Sequence, residues 1–75
     1  MSSSDDRVAY IKTHFMLKQV GPDMWEAIWD HPPGKSVIIG ATKERVCREA
    51  RAWWGHFNFD DEAIAFAEIF PTTGA

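Results

Sequence analysis

The first stretch with a regular alternation of apolar and polar residues is VAYIKTHFMLKQV, near the amino terminus. A period of two with β-branched and aromatic residues is typical of a half-buried strand, so the pattern predicts a strand over 9–20. Val8, Ile11 and Phe15 also fall on one face of a helix, and a helix is therefore the alternative for this segment. The strand is our prediction.

Two further strands are predicted after short turns. In MWEAIWD, at 24–30, Trp25 and Trp29 share one face with the alanine between them. The β-branched run KSVIIG, at 35–40, ends in a glycine. Strands that follow each other through short turns usually pair with their neighbours. The three segments therefore predict an antiparallel meander with 24–30 in the centre.

The periodicity changes after the third strand and predicts a helix over 42–55. Thr42 suits the N-cap position, since its hydroxyl oxygen accepts a hydrogen bond from a free backbone N–H. Apolar residues follow at helical spacings of four, three and four, at Val46, Ala50, Trp53 and Phe57. Neighbouring residues lie about 100° apart on a helix. We therefore expect Trp53 in the core and Trp54 beside it or exposed.

A second helix is predicted over 60–70. Asp60 suits its N-cap, the next two residues are acidic, and Pro71 ends the run. Its apolar face would consist of Ala63, Phe66, Ala67 and Phe70. A strand over 64–70 is the alternative, but it would place Glu68 on the same face as the apolar residues.

These elements predict the α+β class: a three-stranded meander packed against the 42–55 helix, with a second helix at the carboxyl end. The 75 residues form one small domain, and the polar ends, 1–6 and 72–75, are expected to be disordered. The single cysteine, the acidic start MSSSDDR and the absence of an apolar run of about 20 residues indicate a cytoplasmic protein without a membrane partner.

The stretch HPPGKS ends like a phosphate-binding loop, but the sequence around it does not fit one. That loop requires a glycine five positions before Gly34, where this chain has Trp29. It also leads from a strand into a helix, whereas this segment joins two predicted strands. We interpret it as a turn with His31 and Lys35 at an exposed tip.

The residues for metal or covalent chemistry lack the usual spacings. His14, His31, His56 and Cys47 include no pair at the short spacing of a zinc site. Cys47 lies beside the apolar stripe of the predicted helix, where a buried thiol is usually inert. We therefore predict no cofactor, no metal and no enzymatic activity.

Two surfaces are candidates for binding. The first is aromatic: Trp25, Trp29 and Trp54, with His31 and Lys35, are predicted to contact a protein partner, which includes a second copy of the chain. The alternative is a nucleic-acid surface on the 42–55 helix. It would use Lys43, Arg45, Arg48 and Arg51. The net charge of −3 favours the protein partner, because nucleic-acid binders usually carry excess positive charge.

Residues 24–52 resemble the HicB-like antitoxin domain. In that family a strand ends in a Pro/Asp/Gly turn, the next strand ends in Gly-x-Thr, and a helix follows. The matching residues are Asp30, Pro32, Pro33, Gly34, Gly40 and Thr42. The resemblance implies a small domain that masks a toxin-like partner without catalysis of its own.

The order of strands and helix is also similar to that of three-stranded DNA-binding domains of the integrase and ethylene-response type. Those domains read the major groove with the sheet. The predicted exposed sheet face, with Lys12, His14 and Glu26, carries too little positive charge to favour this reading.

Overall fold

A computed structural model of the chain describes residues 3–72, with side chains from Asp5 onward. The elements are α1 (Ser3–His14), β1 (Phe15–Gly21), β2 (Met24–His31), β3 (Gly34–Gly40), α2 (Lys43–Trp54) and α3 (Asp60–Ile69). The α+β class is confirmed, and so are the second and third strands and both predicted helices, each within one or two residues of its predicted ends.

The three strands form one antiparallel sheet in the order β1-β2-β3, as the predicted meander requires. Phe15 is the register partner of Trp29 in the first pairing, and Ala27 is the partner of Ile38 in the second. Two-residue turns join the strands. In the described part of the chain the sheet has three strands, so β1 and β3 each have a free edge.

The prediction of a strand over 9–20 is wrong in its first half. α1 runs to His14, and β1 begins at Phe15 without an intervening loop. The helix is favoured because it places Ile11 in the core, where its side chain is only 1% exposed. Packing of α1 against α3 supplies this burial.

Local contacts also favour the helix. The rings of Tyr10 and His14, four residues apart, stack with their centroids 4.0 Å apart. The Thr13 hydroxyl donates a hydrogen bond to the Ala9 carbonyl at 2.9 Å. Lys12 and His14 therefore belong to a helix, and the prediction that they lie on the exposed sheet face is wrong.

The described residues include part of both ends of the chain. Ser3–Asp6 form the first turn of α1, where Asp5 and Asp6 suit the positive end of the helix dipole. Thr72 accepts a hydrogen bond from the Arg51 guanidinium at 2.8 Å. Positions 1, 2 and 73–75 lie outside the described residues.

The core lies between the sheet and a layer of helices on one of its faces. α2 contacts β2 and β3, while α1 and α3 contact each other and β1. The buried residues are Ile11, Phe15, Ala27, Val46, Cys47, Ala50, Ala65, Phe66 and Phe70. Phe15 is central to this cluster, because its ring lies 5.1 Å from that of Phe66 and 5.4 Å from that of Trp29.

The two later helices begin differently. Thr42 is the N-cap of α2, as predicted, and its hydroxyl oxygen accepts a hydrogen bond from the Arg45 backbone N–H at 3.2 Å. Asp60 is not the N-cap of α3 but its first residue, after Phe59. Three acidic residues in that first turn then interact favourably with the helix dipole.

The inward face of α3 also differs from the predicted one. Phe66 and Phe70 are buried, as expected, but Ala63 is exposed and Ala65 is buried in its place. Glu62 is buried as well, and its carboxylate is paired with Arg7 across 3.3 Å. An ion pair therefore lies at the edge of the core, between α1 and α3.

Candidate protein-binding surface

The roles that we predicted for the adjacent tryptophans of α2 are reversed. Trp53 is 72% exposed, whereas Trp54 packs against the core. The buried face of α2 is centred on Val46, Cys47 and Ala50. Trp54 lies roughly 35° from that centre and Trp53 roughly 65° from it on the other side. The predicted apolar stripe did not include Cys47, and it therefore placed the buried face of α2 too far toward Trp53.

The other two tryptophans of the predicted aromatic surface also lie on the helix-covered face of the sheet. Trp29 stacks on Phe15, and its ring centroid lies 6.0 Å from that of Trp54. Trp25 is half-buried, with the Lys43 ammonium 6.0 Å above its ring. Trp25, Trp29 and Trp54 are therefore all partly buried at the periphery of the core.

The HPPG segment forms a turn between two strands, as predicted, but only one of its two candidate contact residues is well exposed. Lys35 is exposed at the start of β3. His31 is half-buried, its Nε2 shares a hydrogen bond of 2.8 Å with Ser36 Oγ, and its ring lies 4.5 Å from that of Trp29. His31 therefore fixes the turn to the sheet.

The sheet face opposite the helices carries a group of exposed apolar side chains. They are Met16, Val20, Met24, Val37 and Ile39. We call this surface, together with the polar residues between them, the open sheet face. Lys18 lies beside Glu26 and Asp30 beside Lys35 in the strand register, so the charges on this face cancel.

The open sheet face is similar in area to the largest apolar patch of a typical soluble monomer. Three strands of about seven residues cover roughly 14 by 23 Å, or roughly 300 Å². Within residues 3–72, no element packs over it. Apolar and charged side chains share this area, and the largest apolar patch of a soluble monomer often marks an interaction site.

The edge of β3 offers unpaired backbone groups. In a hairpin closed by a two-residue turn, the pair that flanks the turn exchanges both hydrogen bonds, and such pairs then alternate along the ladder. His31 and Gly34 flank the turn here. The N–H and C=O groups of Lys35, Val37 and Ile39 therefore point away from β2, toward the free edge.

The two sheet edges differ in how they resist pairing with another strand. β1 carries Lys18 at its middle, and its pairing is irregular between Gln19 and Gly21. Charges and bulges of this kind protect an edge strand. From Ser36 to Gly40, β3 has neither a charge nor a proline. β3 is therefore the edge better suited to accept a strand.

Only two residues separate β3 from α2, and the contacts at the two ends of α2 show that it runs back across the sheet. At the far end of α2, Trp54 lies 6.0 Å from Trp29, which is the register partner of Ser36. The last turn of α2 is therefore level with the middle of β3. Gly40, at the other end of β3, lies against the start of α2, where an added Cβ would meet Val46 at 2.9 Å.

Trp53 lies on the side of α2 nearer to the β3 edge. Arg51, about 160° from Trp53 around the helix, donates a hydrogen bond to Thr72, which follows α3. That flank of α2 therefore faces α3, which contacts β1 at the opposite side of the sheet. Together, Lys35, Val37, Ile39 and Trp53 form what we call the β3 edge surface.

The four basic residues of the alternative nucleic-acid site are exposed but do not share one face. Lys43 lies over Trp25 on the sheet side of α2. Arg45, Arg48 and Arg51 lie on the outer side, where Arg45 is 4.0 Å from Glu49 and Arg51 bonds to Thr72. The positive charge of this helix is thus divided and partly neutralised.

The candidate metal ligands are dispersed. Among the described residues, no three His, Cys, Asp or Glu side chains are grouped so that they could hold a metal ion. A cleft of about 340 Å³ lies between α1 and α3, with Val8, Lys12, Ile64 and Glu68 among its lining residues. Cys47 and the histidines are outside that lining.

Cys47 is fully buried, and burial raises the pKa of its thiol above the ordinary value of 9.0. We expect it to react with a thiol reagent about 100-fold more slowly in the folded than in the unfolded chain, because exposure requires opening of the core. Rapid reaction in the folded chain would contradict this burial.

The same shift gives a pH dependence. Above pH 9.0 the unfolded chain releases the thiol proton while the folded chain retains it, so stability decreases as the pH rises. Urea unfolding should give a lower free energy of unfolding at pH 10 than at pH 8. The difference should be smaller in Cys47→Ala, which has no thiol to titrate.

Comparison of the chain with protein-family models, with characterised proteins and with solved structures gave no match. The HicB-like resemblance of 24–52 therefore stays a prediction. Within residues 3–72, none of the helices combines the length and the apolar character that crossing a bilayer requires.

Proposed function

We propose that this chain is a small, non-enzymatic, cytoplasmic protein-binding module of bacterial or phage type, which masks or regulates a partner protein. The observation that carries the proposal is the β3 edge surface, where a strand that is uncharged from Ser36 to Gly40 and has outward-facing backbone groups lies next to an exposed tryptophan. The open sheet face continues this surface. The resemblance of 24–52 to the HicB-like domain is consistent with the same role.

The mode of binding that this surface favours is addition of a strand. An extended segment of the partner would bond to the free N–H and C=O groups of β3, and its side chains would contact Val37 and Ile39. Trp53 would supply an aromatic anchor of the kind common in binding hot spots. Of the five partner residues predicted from the sequence, Lys35 lies within this surface.

The distribution of charge supports a protein partner over a nucleic acid. The open sheet face has two positive and two negative side chains, and the whole chain has a net charge of −3. Phosphate contacts require an excess of Lys and Arg on one face. The alternative is a nucleic-acid site formed by Lys43, Arg45, Arg48 and Arg51. Positive charge is in excess there only on the outer side of α2, where the three arginines lie.

The test is a comparison of variants in capture from the source cells, followed by titration of the purified captured protein. Ile39→Lys adds a charge at the β3 edge and should weaken binding about tenfold or more. Arg48→Glu, on the outer side of α2, should leave it unchanged. A captured protein that binds Ile39→Lys as well as the unmodified chain would contradict the proposed surface.

The same two variants test the alternative. We expect binding to duplex DNA or RNA no tighter than about 0.1 mM at physiological salt. Affinity that is tighter, falls steeply with salt and is lost in Arg48→Glu would favour the nucleic-acid function instead.

A further inference from the structure

We infer that the β3 edge surface pairs with the same surface of a second copy of this chain, antiparallel and centred on Val37. This inference rests on the proposed protein-binding function and names one partner for it. The result is a two-fold symmetric dimer with a continuous six-stranded sheet.

The backbone of β3 is self-complementary in this arrangement. Its outward-facing residues, Lys35, Val37 and Ile39, are evenly spaced about Val37. In an antiparallel pairing of full length, Val37 lies opposite Val37 of the second copy and exchanges both hydrogen bonds with it. Lys35 then lies opposite Ile39 of the second copy, so all three residues find partners.

The charges on β3 agree with the same register. In the Val37-centred pairing, the two Lys35 side chains are offset by four residues, or about 13 Å, along the strands. A parallel pairing in register would place them directly opposite each other, which is destabilising. Val37, the most central side chain, is apolar and 40% exposed.

Trp53 extends the contact from the sheet to the helical layer. Because the last turn of α2 is level with the middle of β3, Trp53 lies near the proposed two-fold axis. The two copies would bring their Trp53 side chains toward each other over the paired strands. Association would thereby cover the most exposed large apolar side chain of the described residues.

The dimer also enlarges the surface that a second partner could use. Two open sheet faces side by side cover roughly 600 Å², close to the approximately 800 Å² that each side of a stable complex buries.

The contact between the copies is smaller. β3 is about 23 Å long and the molecule is 16 Å thick, which gives roughly 370 Å² per copy. We therefore expect weak, reversible dimerisation, with a dissociation constant on the order of 0.1 mM.

The test is sedimentation equilibrium of the full chain from about 10 μM to about 1 mM, a range that brackets weak association. The unmodified chain should show a monomer–dimer equilibrium. Val37→Lys and Val37→Glu each place like charges opposite each other and should weaken it about tenfold or more. An equimolar mixture of the two variants pairs opposite charges and should restore association.

Met16→Lys is the matched control. Met16 is 41% exposed and lies in the same cross-strand row as Val37, on the far side of Ile28. It belongs to the β1 edge, so its substitution should leave dimerisation unchanged. Circular dichroism shows whether all variants remain folded.

The inference is overturned if the unmodified chain stays monomeric throughout, or if Met16→Lys weakens association as much as Val37→Lys does. If the equimolar mixture of Val37→Lys and Val37→Glu does not regain association, the Val37-centred register is wrong. A monomeric chain whose captured partner is still lost in Ile39→Lys overturns self-pairing alone and leaves the proposed function standing.

Discussion

Substitution of Phe15 by alanine is expected to lower the free energy of unfolding by about 4 kcal/mol, since truncation of a buried aromatic side chain loses both its burial and its packing. Phe15 is 5% exposed and lies where β1, α2 and α3 meet. A domain of this size has a total stability of only roughly 4–11 kcal/mol. The one change therefore removes between a third and all of it.

Urea unfolding followed by far-UV circular dichroism measures this effect. Tryptophan fluorescence would be a poorer probe, because Trp29 stacks on the substituted ring. Phe59→Ala is the matched control, since Phe59 is 48% exposed and should cost about 1 kcal/mol or less. If both variants lose similar stability, the proposed central position of Phe15 is wrong.

The second large effect is expected at the ion pair between α1 and α3. Glu62 is buried in the first turn of α3, and Arg7 Nη1 lies 3.3 Å from its Oε1 atom. Arg7→Ala leaves this carboxylate buried without a cation. Loss of one partner from a fully buried pair costs about 3–5 kcal/mol; because Arg7 is half-exposed, we expect about 2 kcal/mol.

A double-mutant cycle separates the ion pair from other contacts of Arg7, such as its position 4.9 Å above the Phe59 ring. Glu62→Gln replaces the charge with a neutral group and should recover part of the stability lost in Arg7→Ala. The control is Lys12→Ala, which removes an exposed pair with Glu68 and should cost below about 0.5 kcal/mol. If the effects of Arg7→Ala and Glu62→Gln on the free energy of unfolding simply add, the two side chains are not coupled.

Elements with local signals were predictable from the sequence. The turn at HPPG, the threonine N-cap and the change of period after Gly40 all lie in contiguous residues, and β2, β3 and α2 follow from them. Residues 9–14 satisfy both a strand and a helix pattern. Their helix is decided by burial of Ile11 near α3, a contact between residues far apart in the sequence.

The candidate surface was less predictable, because it depends on which face of each element is covered. Both faces of β2 carry large apolar residues, so the alternation alone does not show that helices lie on the side of Ala27. That side is favoured because the small Ala27 side chain leaves room for a helix to approach. The exposure of Trp53 depends in the same way on the phase of α2, which Cys47 helps to set.

Pairing of β3 with another strand would hydrogen-bond the N–H groups at its free edge. Amide hydrogen exchange of Val37 and Ile39, measured at about 20 μM and about 1 mM protein, detects this pairing, because exchange reports whether an N–H group is hydrogen-bonded. We predict that both amides exchange rapidly in the dilute sample and are protected in the concentrated one, while the β1 edge amides are unaffected. Exchange that is equally rapid at both concentrations would contradict pairing of β3 with a second copy.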